Sequence, residues 1–219
     1  MNNYLESRLL IDRSKSVHFF GKSNFSIPNN ENVFFLNQIH SDKVVNLDDY
    51  QCPSAELEGD AIITSKKDFY IGVKTADCVP ILLASNDFSF VAAVHSGWRG
   101  TFNKIIQNVI EEILGRYKCS KNEILCAIGP SIGECCYEVG TSMINKFSKK
   151  FDLDKDDFSV KEKKFYLNLA QINKKIINKA GVSNVELITD CTSCKKSFFS
   201  YRRDGSRSNN QISIIKTIR

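Results

Sequence analysis

The sequence predicts a fold of mixed helices and strands in which short strands outnumber helices. Short runs rich in Val, Ile and Phe, each bounded by turn residues, recur up to residue 95, which is typical of strands. From residue 101 the apolar residues instead recur at helical spacing. With 219 residues, 42% of them hydrophobic, the chain suits one large domain or two tightly joined halves, with helices on both faces of the sheet structure.

The first half of the chain is expected to be built from strands. They are predicted at about 33–39, 43–47, 60–64, 70–75, 79–84 and 90–95. Polar, turn-rich segments such as 21–32 and 48–58 are expected to form the loops between them.

The second half is expected to alternate helices with strands. The segment 101–118 has one apolar face, and Thr101 suits the N-cap of this helix. That face consists of Ile105, Ile106, Val109, Ile110, Ile113 and Leu114. Further helices are predicted near 141–150 and 169–180, and further strands near 123–129, 164–168, 185–189 and 211–218.

Charge and composition exclude several classes of protein. The net charge is +5, and the basic residues are scattered pairs that lie beside acids, so we expect no nucleic-acid partner. Charged residues interrupt the first 20 positions, and apolar runs are too short to span a membrane. We therefore expect a cytoplasmic protein without a membrane partner.

The eight cysteines are expected to be reduced in the cytoplasm. Cys191 and Cys194 form a lone C-x-x-C pair, which without a second pair is a weak indication of zinc or redox chemistry. Five others are expected to be ordinary buried or loop thiols, namely Cys52, Cys119, Cys126, Cys135 and Cys136.

Two of the three histidines follow apolar strands, and an isolated cysteine lies between them in the sequence. His40 and His95 end predicted strands, and Cys78 lies between two strand runs, in positions where active-site residues gather. Two imidazoles and a thiolate are the ligand set of a catalytic zinc with one open position. The sequence therefore predicts one zinc ion bound by His40, Cys78 and His95. Taken singly, each residue could also be a hydrogen-bonded surface histidine or a buried structural thiol.

A nucleophilic Cys78 oriented by His95 is the competing functional interpretation. Copper is not expected, because multicopper oxidases need many imidazoles, and a blue-copper site commonly uses an axial methionine. The chain has three histidines, and Met1 and Met143 lie outside the segments that carry the expected ligands.

Two basic segments could contact a substrate. The turn from Gly97 to Thr101 joins a strand to a helix, so Arg99 and backbone N–H groups could form an anion site there, or Arg99 could be a surface residue of a tight turn. Residues 201–205 could form a substrate-facing loop or a plain turn.

The motifs, taken in order, resemble the laccase-domain family, whose members are variously labelled polyphenol oxidase, peptidoglycan editing factor or purine nucleoside phosphorylase. The resemblance extends over nearly the whole chain from about residue 17. It is carried by Asn37-Gln38-Ile39-His40, Gly59-Asp60, Thr75-Ala76-Asp77-Cys78-Val79-Pro80, His95-Ser96-Gly97-Trp98-Arg99-Gly100, Ile128-Gly129-Pro130-Ser131-Ile132, Cys136-Tyr137-Glu138-Val139-Gly140 and Phe199-Ser200-Tyr201-Arg202-Arg203-Asp204-Gly205.

The resemblance implies an α+β fold with a central β-sandwich of mixed sheets flanked by helices, in α/β/β/α layers. It also implies a single monomeric domain over residues 1–219, of which 1–16 form a peripheral N-terminal segment. The activity it implies is zinc-dependent phosphorolysis of adenosine, inosine and methylthioadenosine, with adenosine deamination as a further activity. The partners would be purine nucleosides and phosphate.

Several residues receive predicted roles on this basis. Arg99 would hold phosphate, helped by Lys22, which stands where the family usually has an arginine. Asp77 is a candidate proton carrier in deamination, next to Cys78, and Asn37 and Gln38 are candidate substrate contacts. Two rival functions remain: a Cys78-dependent hydrolase acting on peptidoglycan precursors, and a non-catalytic nucleoside-binding protein on the same scaffold.

Overall fold

The computed structural model describes residues 2–14, 16–54, 56–67, 69–87, 89–206 and 208–217. The strands are β1 (Tyr4–Leu5), β2 (Ser16–Gly21), β3 (Val33–Phe35), β4 (Val44–Asn46), β5 (Ala61–Thr64), β6 (Tyr70–Thr75), β7 (Val79–Ser85), β8 (Val91–Ser96), β9 (Ile124–Ile128), β10 (Glu138–Val139), β11 (Phe158–Lys161), β12 (Lys164–Leu167), β13 (Asn184–Leu187) and β14 (Gln211–Thr217). The α-helices are α1 (Arg8–Arg13), α2 (Trp98–Phe102), α3 (Ile105–Arg116), α4 (Thr141–Ser148), α5 (Leu169–Lys179) and α6 (Tyr201–Asp204). Single 3₁₀ turns occupy Pro28–Asn30, Leu47–Asp49 and Lys121–Glu123.

Across these described residues the strands form three sheets, which confirms the predicted α+β class. The largest has six strands in the order β13-β9-β7-β8-β5-β4, and the second has five in the order β1-β2-β14-β6-β3. A small third sheet has the order β10-β12-β11. The two large sheets pack face to face to make the predicted β-sandwich.

The central strands are buried on both faces, which explains their continuous apolar sequences. Successive side chains of a strand point to opposite faces, and in β7 both sets are buried. Leu82 and Ala84 pack between the two large sheets, whereas Ile81 and Leu83 pack toward the helices. Burial of apolar surface contributes about 25 cal/mol per Å² to folding, so the side chains buried on both faces make this sandwich the main source of stability.

The two outer faces of the sandwich are covered differently. The outer face of the six-stranded sheet is covered by α3, α4 and α5, which bury residues such as Val109, Phe147 and Ile176. The outer face of the five-stranded sheet carries a smaller cluster around Phe19 and Tyr70. Partly buried side chains from residues 4, 25 and 27 pack onto that cluster.

The helix predicted over 101–118 is interrupted, and its predicted N-cap is wrong. The first turn is the separate helix α2, capped by Gly97, and α3 begins after Lys104, whose left-handed backbone (φ 60°) breaks the helical run. Thr101 is buried inside α2, where its hydroxyl bonds Ser96 and Asn173 instead of a helix N-terminus. The predicted strand 33–39 also ends early, at Phe35.

The N-terminal residues form β1, α1 and β2. Ser7 caps α1 and its hydroxyl donates to Glu186 of β13, while Leu10 is fully buried. His18 of β2 is buried, and its Nε2 accepts a hydrogen bond from the Ser7 N–H. The third histidine is therefore used inside the fold, away from His40 and His95. None of the helices in the described part of the chain combines the length and apolar character that a membrane-spanning segment requires.

Candidate metal centre and its surroundings

Sheet register places two of the predicted ligands at the same end of the six-stranded sheet. β7 and β8 run antiparallel, with Pro80 opposite His95. Cys78 lies two residues before Pro80, and His95 lies at the end of β8. The two side chains are therefore at the same end of this pair of strands. This is the expected result of an antiparallel hairpin whose ends carry polar residues.

The structure brings His40 to the same place. The ligand atoms of His40, Cys78 and His95 all lie within 4.8 Å of one another. The two imidazole rings are 4.8 Å apart between centroids and nearly perpendicular, at 86°. His95 is buried, Cys78 is half-buried and His40 is exposed, so the group is open to solvent on one side. We call these three residues the histidine–cysteine site.

Asp60, which immediately precedes β5, binds the His95 imidazole and the backbone of His40. Its Oδ1 accepts from His95 Nδ1 at 2.8 Å and from the backbone N–H of His40 at 3.0 Å. Its Oδ2 accepts from the N–H and the hydroxyl of Ser41. Burial opposes ionisation of Asp60, but the hydrogen bond from His95 and those from Ser41 lower its pKa below the usual value. Sequence reasoning assigned Asp60 no role, because a lone Gly59-Asp60 before a strand is typical of a turn.

The proton position on His95 follows from this contact. An ionised carboxylate only accepts hydrogen bonds, so Nδ1 of His95 carries the proton and Nε2 is free to bind a metal ion. A carboxylate behind a ligating histidine is the usual arrangement in protein metal sites. The donor set and its support therefore fit a bound metal ion.

Backbone strain and a glycine give the site its close packing. His40 and Asp77 both have positive φ angles, 57° and 87°, which cost on the order of 1–3 kcal/mol each for residues with a side chain. A Cβ on Gly97 would lie 3.0 Å from Cys78 Sγ and 3.5 Å from His40 Cδ2. A side chain at position 97 would therefore press against Cys78 and His40, and glycine lets the chain pass beside them.

The local charges favour a thiolate at Cys78. Burial raises the pKa of the thiol, but the charge of His95 and the hydrogen bonds from His40 and His95 outweigh it and lower the pKa of Cys78 to about 6. Burial likewise opposes protonation of His95, but the charge of Cys78 and the contact with Asp60 raise its pKa to about 9. Without a metal ion, the pair is a thiolate beside an imidazolium.

Asp77 is buried, and both of its carboxylate oxygens are hydrogen-bonded. Oδ1 accepts from the Thr192 hydroxyl at 2.7 Å, and Oδ2 accepts from the backbone N–H of Arg202 at 2.7 Å. The Asp77 side chain therefore ties the Cys78 segment to two distant loops. Its predicted role as a proton carrier stays a prediction.

The four predicted substrate contacts occupy different positions. Arg99 is exposed on α2, two residues after Gly97, with its guanidinium over the Trp98 ring. Asn37 is exposed and lies three residues before His40 in the chain. By contrast, Gln38 pairs with the backbone of Lys74 through both ends of its amide. Lys22 Nζ donates to the carbonyl of Asn2 at 2.7 Å. These contacts leave Arg99 and Asn37 as the side chains most available to a ligand.

Tyr137 is a further neighbour of the site that sequence reasoning did not single out. Burial raises the pKa of Tyr137 to about 12, and the charges of Cys78 and Asp77 add to this effect. The guanidinium of Arg202 lies over its ring, 5.3 Å from the centroid. The motif containing Tyr137 was visible in the sequence. Because some sixty residues separate it from Cys78 along the chain, the sequence did not indicate that the two side chains are close in space.

The sandwich fold and the site at its strand ends together define a class of protein: an α+β sandwich with a two-histidine, one-cysteine centre suited to a metal ion. The family described as multi-copper polyphenol oxidoreductase laccase matches residues 20–218. The chain belongs to this family.

Individual relatives agree with this membership, and solved structures agree with the fold. A purine nucleoside phosphorylase of Clostridium acetobutylicum is 36% identical over 189 residues, covering 85% of this chain and 78% of the relative. Adenosine deaminase RL5, from an unknown prokaryotic organism, is 37% identical over 184 residues, covering 78% and 70% of the two chains. Protein NMB0706 of Neisseria meningitidis has the same fold, with a TM-score of 0.84, 25% identity and complete coverage of both chains. YlmD of Geobacillus stearothermophilus, at 21% identity and a TM-score of 0.82, covers 100% of this chain and 97% of its own.

Proposed function

We propose that the protein is a zinc-dependent purine nucleoside phosphorylase acting on adenosine, inosine and methylthioadenosine, with adenosine deamination as a side activity. The observation that carries the proposal is the convergence of His40, Cys78 and His95, backed by Asp60. The activities for which the two sequence relatives are named supply the substrate class.

Zinc is the metal proposed for the histidine–cysteine site. His40, Cys78 and His95 offer two nitrogens and one sulfur, which suits a catalytic zinc with an open position. Copper is disfavoured because His18 is committed to Ser7 and Met143 packs against the helix-side core, so neither adds an imidazole or a thioether to the group. When bound, zinc supplies a Lewis acid that polarises a substrate atom or water.

The side chains around the metal position supply the rest of the proposed reaction. Arg99 holds phosphate as a bidentate cation, with Lys22 as a weaker helper. In phosphorolysis a phosphate oxygen bonds the anomeric carbon while the bond to the purine breaks, and the purine leaves with the electron pair. Because the sugar carries positive charge in the transition state, an anion held beside it lowers the barrier.

Other residues orient the substrate and the ligands. Asp60 fixes the protonation of His95, and Asp77 positions the Cys78 segment through Thr192 and Arg202. Asn37 is proposed as a nucleoside contact, and Gln38 supports the same loop by pairing with Lys74. In the deamination side activity Asp77 would carry a proton on a lone pair that its two accepted hydrogen bonds leave free.

The direct test is incubation of the purified protein with inosine, with and without phosphate, and measurement of free hypoxanthine. His95→Ala removes a ligand and serves as the blank. His18→Gln is the matched control, because it alters a histidine outside the site. Phosphate-dependent release that persists in the control and disappears in the blank supports the proposal. Release of hypoxanthine that does not depend on phosphate would show hydrolysis in place of phosphorolysis. A parallel incubation with adenosine, in which inosine is measured, tests for deamination.

A Cys78-dependent hydrolase is the second candidate, favoured by one geometric observation. Asp60, His95 and Cys78 form a chain of contacts like the acid–base–nucleophile order of covalent hydrolases. This candidate predicts activity in protein stripped of zinc and irreversible loss after alkylation of Cys78. Zinc-bound protein that binds inosine without turnover would instead indicate a nucleoside-binding protein.

A further inference from the structure

Four cysteine side chains converge at a place separate from the histidine–cysteine site. The sulfur atoms of Cys135, Cys136, Cys191 and Cys194 all lie within 4.8 Å of one another. Cys135 and Cys136 were expected to be ordinary thiols, and Cys191 and Cys194 were expected to be a lone pair. The fold instead joins the two pairs across more than fifty residues. We call these residues the four-cysteine cluster.

The sulfur spacing suits a shared ion and does not correspond to a disulfide. Cys194 Sγ lies 3.4 Å from Cys135 Sγ and 3.3 Å from Cys136 Sγ, whereas a disulfide bond is about 2.05 Å long. Four sulfurs arranged tetrahedrally at about 2.3 Å from zinc lie about 3.8 Å from each other. Small adjustments of the side chains would therefore place all four sulfurs around one ion.

Two hydrogen-bonded turns present the sulfurs to the same centre. The N–H groups of Cys136 and Tyr137 both donate to the carbonyl of Gly133, which folds the first pair into a tight turn. The Lys195 N–H donates to the Cys191 carbonyl and closes the second turn. The Gly133 N–H donates to Cys191 Sγ at 3.3 Å, a contact that stabilises a thiolate.

The loops that carry the cysteines are held by arginines, independently of any ion. Arg203 donates to the carbonyls of residues 192, 193, 195 and 198. Arg202 donates to the carbonyls of Cys136 and Glu138. Arg203, which is also paired with Asp204, lies within electrostatic range of Cys191, so its charge offsets part of the net charge of −2 that four thiolates and one divalent ion would carry.

We propose that Cys135, Cys136, Cys191 and Cys194 bind a second, structural zinc ion. Four sulfur ligands leave no open position, which is the mark of a structural zinc centre. The ion would clamp the loop 191–194 onto the turn 133–136. Since Thr192 and Arg202 hold Asp77, which precedes Cys78, the clamp supports the histidine–cysteine site from behind.

The first experiment counts metal in the full-length protein, purified under reducing conditions. We expect two zinc ions per chain in the wild type. Cys194→Ser should retain one ion, at the histidine–cysteine site. His95→Ala should also retain one ion, at the four-cysteine cluster. Cys52→Ser is the matched control, because Cys52 is exposed and lies outside both groups, and it should retain two. An unchanged zinc count in Cys194→Ser, or iron in place of zinc in the wild type, overturns the proposal.

A second measurement needs no variant and so does not depend on how well one folds. Cys135 and Cys194 are exposed, like Cys52, so an alkylating reagent can reach all three sulfurs when no ion covers them, and the change that a chelator causes at each thiol tests the proposal. The proposal predicts that native wild-type protein is alkylated at Cys52, while Cys135 and Cys194 are protected until a chelator is added. Equal alkylation of the three residues, or a peptide containing a Cys136–Cys194 disulfide, contradicts it. Neither measurement depends on catalytic activity, so failure of this proposal and failure of the proposed function are distinguishable.

Discussion

The molecule contains two sulfur-bearing groups whose surroundings differ in ways that separate reactive from structural chemistry. The histidine–cysteine site has mixed donors, a carboxylate behind His95 and one side open to solvent. The four-cysteine cluster has sulfur donors alone, on turns held by backbone hydrogen bonds and two arginines. Open coordination is associated with catalysis and closed coordination with stability, so the donors and their supporting contacts together separate the two groups.

The largest expected effect separates the two groups by stability. A chelator should lower the free energy of unfolding of the wild type by about 4 kcal/mol more than that of Cys194→Ser, if free zinc stands a thousandfold above the dissociation constant of the four-cysteine cluster. Chemical unfolding of both proteins, with and without chelator, measures the difference. An equal chelator effect in the two proteins would mean that the cluster contributes nothing to folding.

The second prediction uses His18, whose environment is opposite to that of His95. Burial lowers the pKa of His18 to about 4, and the charge of Glu186 offsets only part of this effect. Because the unfolded chain binds this proton near pH 6.5, the contribution to stability is complete above pH 6.5 and is lost as the pH falls toward 4. The expected loss is about 3 kcal/mol.

Urea unfolding at pH 7 and at pH 4.5 tests this prediction. His18→Gln keeps a side-chain acceptor for Ser7 but does not titrate, so its stability should change less between the two pH values. If the wild type and the variant lose stability equally, other groups cause the acid sensitivity.

The third prediction concerns the carboxylate behind the histidine–cysteine site. Asp60→Asn keeps the size of the side chain but removes its charge and its fixed acceptor for His95 Nδ1. Zinc affinity at this site should fall about 10- to 100-fold, while the four-cysteine cluster keeps its ion. Competitive titration with a zinc chelator resolves the two steps, and a parallel loss at both would show that Asp60 acts on overall folding.

The smallest effect is expected from the glycine beside the ligands. Gly97→Ala places a methyl group 3.0 Å from Cys78 Sγ, so zinc affinity at the histidine–cysteine site should fall by about 1 kcal/mol, or several-fold. Gly115→Ala is the control, because its added methyl meets nothing within 4 Å. An unaltered zinc affinity in Gly97→Ala would show that the Cys78 segment can shift away from the added methyl group at little cost in free energy.

Much of the sandwich was visible in the sequence because its central strands are apolar on both faces. β7 and β8 were predicted within a residue or two, and their ends gave the correct positions for Cys78 and His95. The N-terminal elements were not predicted. α1 has six residues, too few to show a period, and β2 contains Ser16 and His18, which are polar yet buried.

The proximity of Cys78 and His95 could be predicted because Cys78 directly precedes β7 and His95 lies at the end of β8, while the metal they would bind stays a prediction. Their supports could not be predicted, because hydrogen bonds such as Asp60 to His95 and Asp77 to Thr192 join residues far apart in the chain. The four-cysteine cluster was hidden for the same reason. Cys135 and Cys136 are adjacent, and two residues separate Cys191 from Cys194, so neither spacing alone indicates a shared centre.

Asp77 gives the two groups a thermodynamic connection. One of its oxygens reaches Thr192, beside Cys191, while its backbone leads directly to Cys78. If both ions bind as proposed, any change that one causes in the affinity for the other must be returned in equal measure, because coupling free energy is reciprocal. If each ion strengthens the binding of the other, the chain would fill both positions over a narrower range of free zinc than two independent sites allow.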